Sequence, residues 1–217
     1  MPTAQTVLFD FDYTLADSSA AVVECMNVAF EAMGLAKAPE EAICRTIGLS
    51  LPEALVSLAG EAHRHRSQEF RSHFRRRSDQ IMVDWTRLYP AVPHVLASLR
   101  DCGLRLGIVS TKNRHRIEAV LGRERLLERF DVIVGGEDVA EYKPDPEGLL
   151  LALDRLGSSP QQTAYVGDST TDAETARRAR VPFVAVLSGT TQRDEFAAYQ
   201  PRHVLETVVE VPPLFHC

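Results

Sequence analysis

The sequence predicts an α/β fold in which helices cover both faces of a parallel sheet and a helical domain is inserted after the first strand. Short apolar segments typical of buried strands alternate with amphipathic helical patterns along most of the chain. Residues 11–103, between the first two strong strands, are the exception, because they show almost no strand pattern. A crossover between neighbouring parallel strands needs only about a dozen residues, so this interval is long enough to hold a separate helical domain.

Five segments fit buried or half-buried strands: residues 6–10, 104–109, 131–134, 163–167 and 183–187. Helical patterns precede the second and the fourth of these segments. Gly103 and Gly157 predict where those two helices end, since glycine is favoured just beyond a helix C-terminus. The alternation of strands and helices predicts a doubly wound, Rossmann-like parallel sheet.

The inserted segment is predicted to hold three helices. Asp17 is placed to cap the first, whose apolar residues recur with a period of about 3.6 residues. Pro52 suits the first turn of the second helix. Phe70 and Phe74 form a narrow apolar stripe on the third, which is otherwise polar. The predicted domains are a core of residues 1–15 and 89–217 and a helical insertion of residues 16–88.

Composition argues against several classes of function. The 217 residues carry 30 acidic and 24 basic side chains, and the formal charge of −6 argues against general nucleic-acid binding. The longest apolar run, residues 181–187, is too short to span a bilayer, and Asp10 and Asp12 interrupt the apolar N-terminus. We therefore expect neither a membrane span nor a signal peptide. The four cysteines are widely separated, match no metal-binding spacing, and are expected to be reduced thiols in a cytoplasmic protein.

Polar side chains follow the strongest predicted strands, at the edge of the sheet where ligands bind in this fold class. They are Asp10 and Asp12 after the first strand, Ser110, Thr111 and Lys112 after the second, Lys143 in a later loop, and Asp168 and Asp172 after the strand at 163–167. Carboxylates gathered at one site repel each other unless a cation is present, and oxygen ligands favour Mg²⁺. Ser110 is expected to cap the following helix and to bind phosphate with the free amides there, while Lys143 supplies positive charge.

Four motifs occupy these positions in chain order. They are Asp10-Phe-Asp12-Tyr-Thr14, Ile108-Val-Ser110-Thr-Lys112, Glu141-Tyr-Lys143-Pro-Asp-Pro146 and Gly167-Asp168-Ser-Thr-Thr-Asp172. Through these motifs, residues 9–189 resemble the haloacid dehalogenase superfamily, in the branch that contains phosphoglycolate phosphatases with a helical cap. The resemblance implies a Mg²⁺-dependent phosphatase that acts on a small phosphorylated metabolite such as phosphoglycolate. With the composition, which argues against a nucleic-acid or membrane partner, we expect a monomer or homodimer that binds this metabolite.

By this resemblance, Asp10 is the nucleophile and forms an aspartyl-phosphate. Asp12 protonates the leaving oxygen and then takes a proton from the water that hydrolyses the intermediate. Dehalogenase and phosphonatase relatives lack an acid at the position of Asp12, so its presence favours phosphate-ester hydrolysis. The expected Mg²⁺ ligands are Asp10, the backbone carbonyl of Asp12, Asp168 and Asp172.

Substrate contacts are expected at five residues: Thr14, Arg45, Ser110, Thr111 and Lys143. Ser110 and Lys143 would hold phosphoryl oxygens. Arg45 is a candidate because it precedes residues 47–50, a loop that faces the active site in related caps.

Two residues depart from the family pattern. Tyr13 and Arg180 stand where glycine is common, and Arg180 is expected to be a surface change in a turn. Residues 63–77, rich in arginine and histidine, are interpreted as a solvated helix face in preference to a site for an anionic substrate or partner.

Three other functions fit parts of the pattern. A phosphosugar mutase of the same branch would use Asp10 but return the phosphoryl group to the substrate. A signalling receiver module also combines clustered aspartates, a hydroxyl residue and a lysine, but its acceptor aspartate ends a middle strand and no long helical insertion follows. A catalytically silent binding protein is disfavoured because every expected catalytic position is filled.

Overall fold

A six-stranded parallel sheet forms the centre of the molecule. The structure is a computed structural model that describes residues 4–217; residues 1–3 of the predicted core domain lie outside the described part. In chain order the strands are β1 (Thr6–Phe9), β2 (Ala16–Asp17), β3 (Arg87–Leu88), β4 (Arg105–Val109), β5 (Val132–Val134), β6 (Thr163–Gly167), β7 (Phe183–Val186) and β8 (His203–Leu205). Six of them pair in parallel in the order β5-β4-β1-β6-β7-β8, so the predicted parallel α/β sheet is confirmed.

The described chain forms eight α-helices, and the last four of them cover the two faces of this sheet. In chain order the helices are α1 (Ser19–Ala32), α2 (Glu40–Cys44), α3 (Leu51–Ala59), α4 (Ser67–Trp85), α5 (Val92–Asp101), α6 (Arg114–Arg123), α7 (Glu147–Leu156) and α8 (Thr170–Ala179). Successive side chains of a strand point to opposite faces, so Val7 and Phe9 join α5 and α6 in one apolar cluster while Leu8 joins α7 and α8 in another. The two clusters hold the central strands, and therefore the residues that follow them, in fixed positions.

Helices α1 to α4 lie between β2 and β3 and bury their apolar side chains in a third cluster. The predicted stripe of Phe70 and Phe74 belongs to it, with Phe70 packed edge-to-face on Phe30 at 5.7 Å between ring centroids. Strands β2 and β3 pair antiparallel, so the chain enters and leaves this group of helices side by side. We call α1 to α4 the helical insertion; the exact domain boundaries at residues 15 and 89 stay a prediction.

The two residues that replace a family glycine both adopt a left-handed backbone. Tyr13 has φ 59°, and Arg180, which follows α8, has φ 58°. Gly157, which follows α7 in the same way, also has φ 58°. A residue with a side chain costs roughly 1–2 kcal/mol more than glycine in this region, so Tyr13 and Arg180 hold conformations that glycine would adopt at lower energy.

The structure adds elements that the sequence patterns did not predict and corrects one expectation. Strand β8, the short helix α2 and the β2–β3 ribbon were not predicted. Cys102 and Cys217 are joined in a disulfide with their Cα atoms 5.8 Å apart, so the expectation of four reduced thiols is wrong for this pair. The C-terminal residues fold back against α5, and Cys102 directly follows this helix. Cys217 is therefore brought close to Cys102 although the two lie far apart in the sequence. Among residues 4–217, no helix has both the length and the hydropathy that crossing a membrane requires.

Candidate active site

The carboxyl ends of three neighbouring central strands bring most of the predicted site residues together. Asp10 follows β1, Ser110 follows β4 and Asp168 follows β6, and the register sets Phe9 beside both Ile108 and Val166. Because these strands are parallel and adjacent, their ends meet at one edge of the sheet.

Three carboxylates form a buried cluster at this edge. Asp10, Asp168 and Asp172 each offer an oxygen, and these oxygens all lie within 4.8 Å of one another. Burial raises the pKa of Asp10 from 3.8 to about 6; Lys143 opposes the rise, and the charges of Asp172 and Asp12 add to it. Burial, followed by the charges of Asp172 and Asp10, raises the pKa of Asp168 well above its ordinary value. The cluster thus concentrates more negative charge than the protein itself neutralises.

Lys143 is the cation that the protein provides. Its Nζ lies 2.6 Å from Asp172 Oδ1 and 3.0 Å from Asp10 Oδ1. Burial disfavours the ammonium, but the charges of Asp10 and Asp172 outweigh burial and raise the pKa of Lys143. The loop that carries Lys143 is braced by Glu147, whose carboxylate accepts the backbone N–H groups of Ala140 and Glu141.

Asp172 is held by the start of α8. Ser169 caps this helix by accepting the N–H of Asp172, and its own N–H and hydroxyl donate to Asp172 Oδ2 at 3.2 and 2.5 Å. The Tyr165 hydroxyl lies 2.9 Å from Asp172 Oδ1. These contacts fix Asp172 next to Lys143, so Asp172 positions the lysine as well as contributing charge.

The cluster fits a hard divalent cation. Every donor is a carboxylate oxygen, the ligand type that such cations prefer. Asp10 Oδ1 is enclosed, and Lys143 Nζ at 3.0 Å is its one close cationic contact among the described residues, so this oxygen keeps a lone pair for a second cation. Gly189 allows the site to close around Asp168, because a Cβ at Gly189 would collide with that carboxylate. Asp10, Asp168 and Asp172 could therefore hold a metal ion.

Asp12 is held apart from this cluster. Lys112 Nζ lies 2.8 and 3.0 Å from its two carboxylate oxygens, and the Ser18 hydroxyl donates to Oδ1 at 2.6 Å. Lys112 is itself buried, so this ion pair is largely shielded from solvent. The sequence prediction listed Asp12 among the metal ligands through its backbone carbonyl, and its side chain lies outside the carboxylate group.

The predicted substrate contacts Thr14, Ser110 and Thr111 lie at the same edge. Thr14 Oγ1 donates to Asp168 Oδ1 at 3.3 Å, and Thr111 Oγ1 donates to the Gly48 carbonyl of the helical insertion at 3.1 Å. The expectation that Ser110 caps the next helix is wrong, since α6 begins at Arg114 and its N-cap is Asn113. Ser110 Oγ instead accepts the N–H of Lys112 at 3.4 Å.

Arg45 is the predicted site residue that the structure places elsewhere. It is exposed, pairs with Glu41 at 2.9 Å on the same helical turn, and is absent from the described residues that line the cavity below. The reason is local: Arg45 lies on the outer side of α2, whereas the loop after it turns inward at the buried Thr46.

A cavity of about 100 Å³ lies between the helical insertion and the edge of the sheet. It is lined on one side by residues 46–51 and by α1 and α4, and on the other by Asp12, residues 111–113, Arg116 and Tyr142. The inward loop of residues 47–50 therefore faces the site, as the resemblance implied. Arg71 and Arg75 also line the cavity, which for these two residues favours the alternative interpretation of residues 63–77 as a site for an anionic substrate or partner.

Sequence reasoning assigned no role to Ser18, Lys112 or Tyr165. Lys112 is the last residue of the second motif. A role in the site could have been predicted for it, because it follows a strand end close to Ser110. Ser18 and Tyr165 carried no such pattern: Ser18 precedes a helix like many polar residues, and Tyr165 lies inside an apolar strand.

Comparison with known proteins agrees with this geometry. The model of the haloacid dehalogenase-like hydrolase family matches residues 7–186. Phosphoglycolate phosphatase from Escherichia coli (strain K12) is 28% identical over 228 positions, which cover 95% of this chain and 90% of that protein.

Two solved structures show the same fold. A protein from Bacteroides fragilis assigned as a haloacid dehalogenase-like hydrolase has a TM-score of 0.93 and 42% identity over 96% of this chain and 99% of its own. A protein from Lactobacillus plantarum assigned as a phosphoglycolate phosphatase has a TM-score of 0.86 and 26% identity, and the match covers 98% of this chain and 100% of that protein. Since the family model spans most of the chain and the site residues stand where the motifs predicted, the chain belongs to the haloacid dehalogenase-like hydrolases.

Proposed function

We propose that this hydrolase is a Mg²⁺-dependent phosphatase that cleaves a small phosphate monoester, such as phosphoglycolate, through an aspartyl-phosphate intermediate. The observation that carries the proposal is the presence of two separate buried carboxylate sites side by side. Asp10 lies among carboxylates that suit a cation, whereas Asp12 is held apart by Lys112 and Ser18. Two-step phosphoryl transfer needs such a division between a nucleophile and an acid–base group.

In the first step, a carboxylate oxygen of Asp10 bonds to phosphorus while the ester P–O bond breaks, and a proton passes from Asp12 to the leaving oxygen. In the second step, the oxygen of a water molecule bonds to phosphorus, the bond to Asp10 breaks, and a proton of the water passes to Asp12. The contacts of Lys112 and Ser18 hold the carboxyl group of Asp12 in place for both proton transfers.

Binding of the phosphoryl group is assigned to the residues that follow the strands. Ser110 and Lys143 would hold its oxygens, with Thr14 and Thr111 at the rim of the same site. Asp10, Asp168, Asp172 and the backbone carbonyl of Asp12 would hold Mg²⁺. When bound, the ion supplies positive charge that lets two anions, a carboxylate and a phosphate, approach each other.

Release of inorganic phosphate tests this function. The wild-type protein is incubated with p-nitrophenyl phosphate or 2-phosphoglycolate in the presence of Mg²⁺, beside the variant Asp10→Asn and the matched control Asp84→Asn, an exposed aspartate at the end of α4. We expect turnover in the wild type and in the control and none in Asp10→Asn, because an amide is not a nucleophile. Wild-type turnover in Asp10→Asn would contradict the proposal.

The same assay separates the alternatives. A phosphosugar mutase would interconvert sugar phosphates with little release of phosphate, and a receiver module would become phosphorylated without multiple turnovers. The cytoplasmic location and the monomeric or homodimeric state stay predictions.

A further inference from the structure

Two arginines of the helical insertion face the cavity above the active site. Arg71 and Arg75 lie four residues apart on α4 and therefore on the same face of that helix. The cavity lining passes from the buried Asp12 and Lys112 to Arg71, which is half-buried, and Arg75, which is exposed. We call Arg71 and Arg75 the arginine pair.

The arginine pair has no protein anion to neutralise it. Among residues 4–217, neither guanidinium makes a hydrogen bond or a salt bridge, although other arginines nearby do. Arg66, just before α4, pairs with Glu69 at 2.9 Å. Arg77, which is on α4 like the arginine pair, pairs with Glu24 of α1 at 2.7 Å. Arg116, across the cavity, pairs with Asp79 at 2.5 Å.

The described lining of the cavity offers no unpaired anion either. Asp12 is the one carboxylate among its described lining residues, and Lys112 and Ser18 already occupy it. Two like charges four residues apart on a helix repel each other, and nothing on the described surface of the cavity offsets this repulsion. An anion supplied by a ligand would do so, and a guanidinium binds carboxylate or phosphate through two parallel hydrogen bonds.

We propose that Arg71 and Arg75 form a subsite for a second anionic group of the substrate, a carboxylate or a second phosphate. The inference rests on the proposed function, since it places the phosphate ester at Asp10 and the rest of the substrate in the cavity next to Asp12. The cavity volume of about 100 Å³ suits a small metabolite of this kind. The arginine pair then selects phosphate esters that carry a second anionic group, here called doubly anionic substrates, over phosphate esters whose remaining part is neutral.

The test compares substrates that share the ester and differ in the second group. They are 2-phosphoglycolate, fructose 1,6-bisphosphate, glycerol 3-phosphate and p-nitrophenyl phosphate. The variants are Arg71→Gln, Arg75→Gln and the double variant. The matched control is Arg76→Gln, because Arg76 is on the same helix, is exposed, and contacts His73 rather than the cavity.

We expect the ratio of kcat/KM for a doubly anionic substrate to kcat/KM for p-nitrophenyl phosphate to fall about tenfold or more in each single variant, mainly through KM. Loss of a charged hydrogen bond has an effect of this size. Arg76→Gln should leave the ratio unchanged. A selective loss with 2-phosphoglycolate identifies the second group as a carboxylate, and one with the bisphosphate identifies it as a phosphate.

An unchanged ratio in the double variant, or wild-type preference for glycerol 3-phosphate over both doubly anionic substrates, would overturn the subsite. Failure of the proposed function looks different, since the wild type would then release phosphate from none of the four esters. Calorimetric binding of 2-phosphoglycolate and the bisphosphate to Asp10→Asn, with and without Arg71→Gln, tests the subsite without turnover. Equal dissociation constants with and without the Arg71 substitution would refute it.

Discussion

Mg²⁺ should stabilise the metal-free protein against heat, and more strongly at about pH 7.5 than at about pH 5. The pKa of Asp10 is raised from 3.8 to about 6 by burial and by its neighbouring carboxylates. The folded metal-free protein therefore binds a proton at Asp10 more tightly than the unfolded chain does. Its free energy of unfolding should fall as the pH rises through this interval, because the stabilisation by that proton is lost.

The size of the effect follows from these values. At a free Mg²⁺ concentration about 100 times the dissociation constant, binding adds about 2.7 kcal/mol to the stability of the folded state. For a chain of this length, Tm should rise by about 5–10 °C at neutral pH. At about pH 5, one unit below the pKa of Asp10, release of its proton costs about 1.4 kcal/mol. The rise in Tm should therefore shrink to about half, and further because the pKa of Asp168 is also raised.

Differential scanning calorimetry with and without Mg²⁺, at both pH values, measures the rise in Tm that the ion causes. Asp168→Asn should lose most of the shift because it removes a proposed ligand, whereas Asp84→Asn should keep it. A shift of equal size at both pH values, or an undiminished shift in Asp168→Asn, would refute the assignment of the metal to the carboxylate cluster.

Four further substitutions should have measurable effects. Asp12→Asn should slow hydrolysis of an alkyl phosphate about 10²–10⁴-fold. Rapid-quench measurement should show much less slowing of the first step with p-nitrophenyl phosphate, whose leaving group needs no proton. Equal slowing of the first step with both esters would remove Asp12 from the role of general acid. Lys143→Met leaves Asp10 and Asp172 buried without their cation, so thermal unfolding of the metal-free protein should show a loss of about 3–5 kcal/mol, and an unchanged Tm would contradict the buried ion pair. Arg180→Gly should raise the free energy of unfolding by about 1 kcal/mol and Gly157→Ala should lower it by a similar amount, because both positions have a left-handed backbone. Tm values that move in the opposite directions would contradict this explanation.

The sequence predicted the parts of the site that depend on strand ends. Asp10, Ser110 and Asp168 each follow a short apolar strand, and the fold class alone brings such positions to one edge. Lys143 and Asp172, which come from a loop and a helix start, were also predicted at this edge from their places after the strands. The resemblance to a known family then implied their roles, because spacing alone does not say where a loop lysine points.

The parts that could not be predicted depend on contacts between distant segments. Whether Arg71 and Arg75 face solvent or the cavity is decided by how α4 lies over the sheet edge, and the polar pattern of that helix is the same in both cases. Lys112 reaches Asp12, 100 residues away in the chain, and the disulfide joins residues 115 apart. The role of Arg45 as a substrate contact stays a prediction: its partner Glu41 is local, and Arg45 is absent from the described residues that line the cavity.

The central claim is that Asp10 carries the phosphoryl group during turnover. The most direct test is to quench the reaction of the protein with p-nitrophenyl phosphate within one turnover and to map the phosphorylated peptide by mass spectrometry, using Asp12→Asn to slow hydrolysis of the intermediate. We predict one phosphoryl group on Asp10, formed at least as fast as the steady-state rate. Phosphate released with no phosphorylated protein at any time point, or phosphate on a residue other than Asp10, would contradict the account.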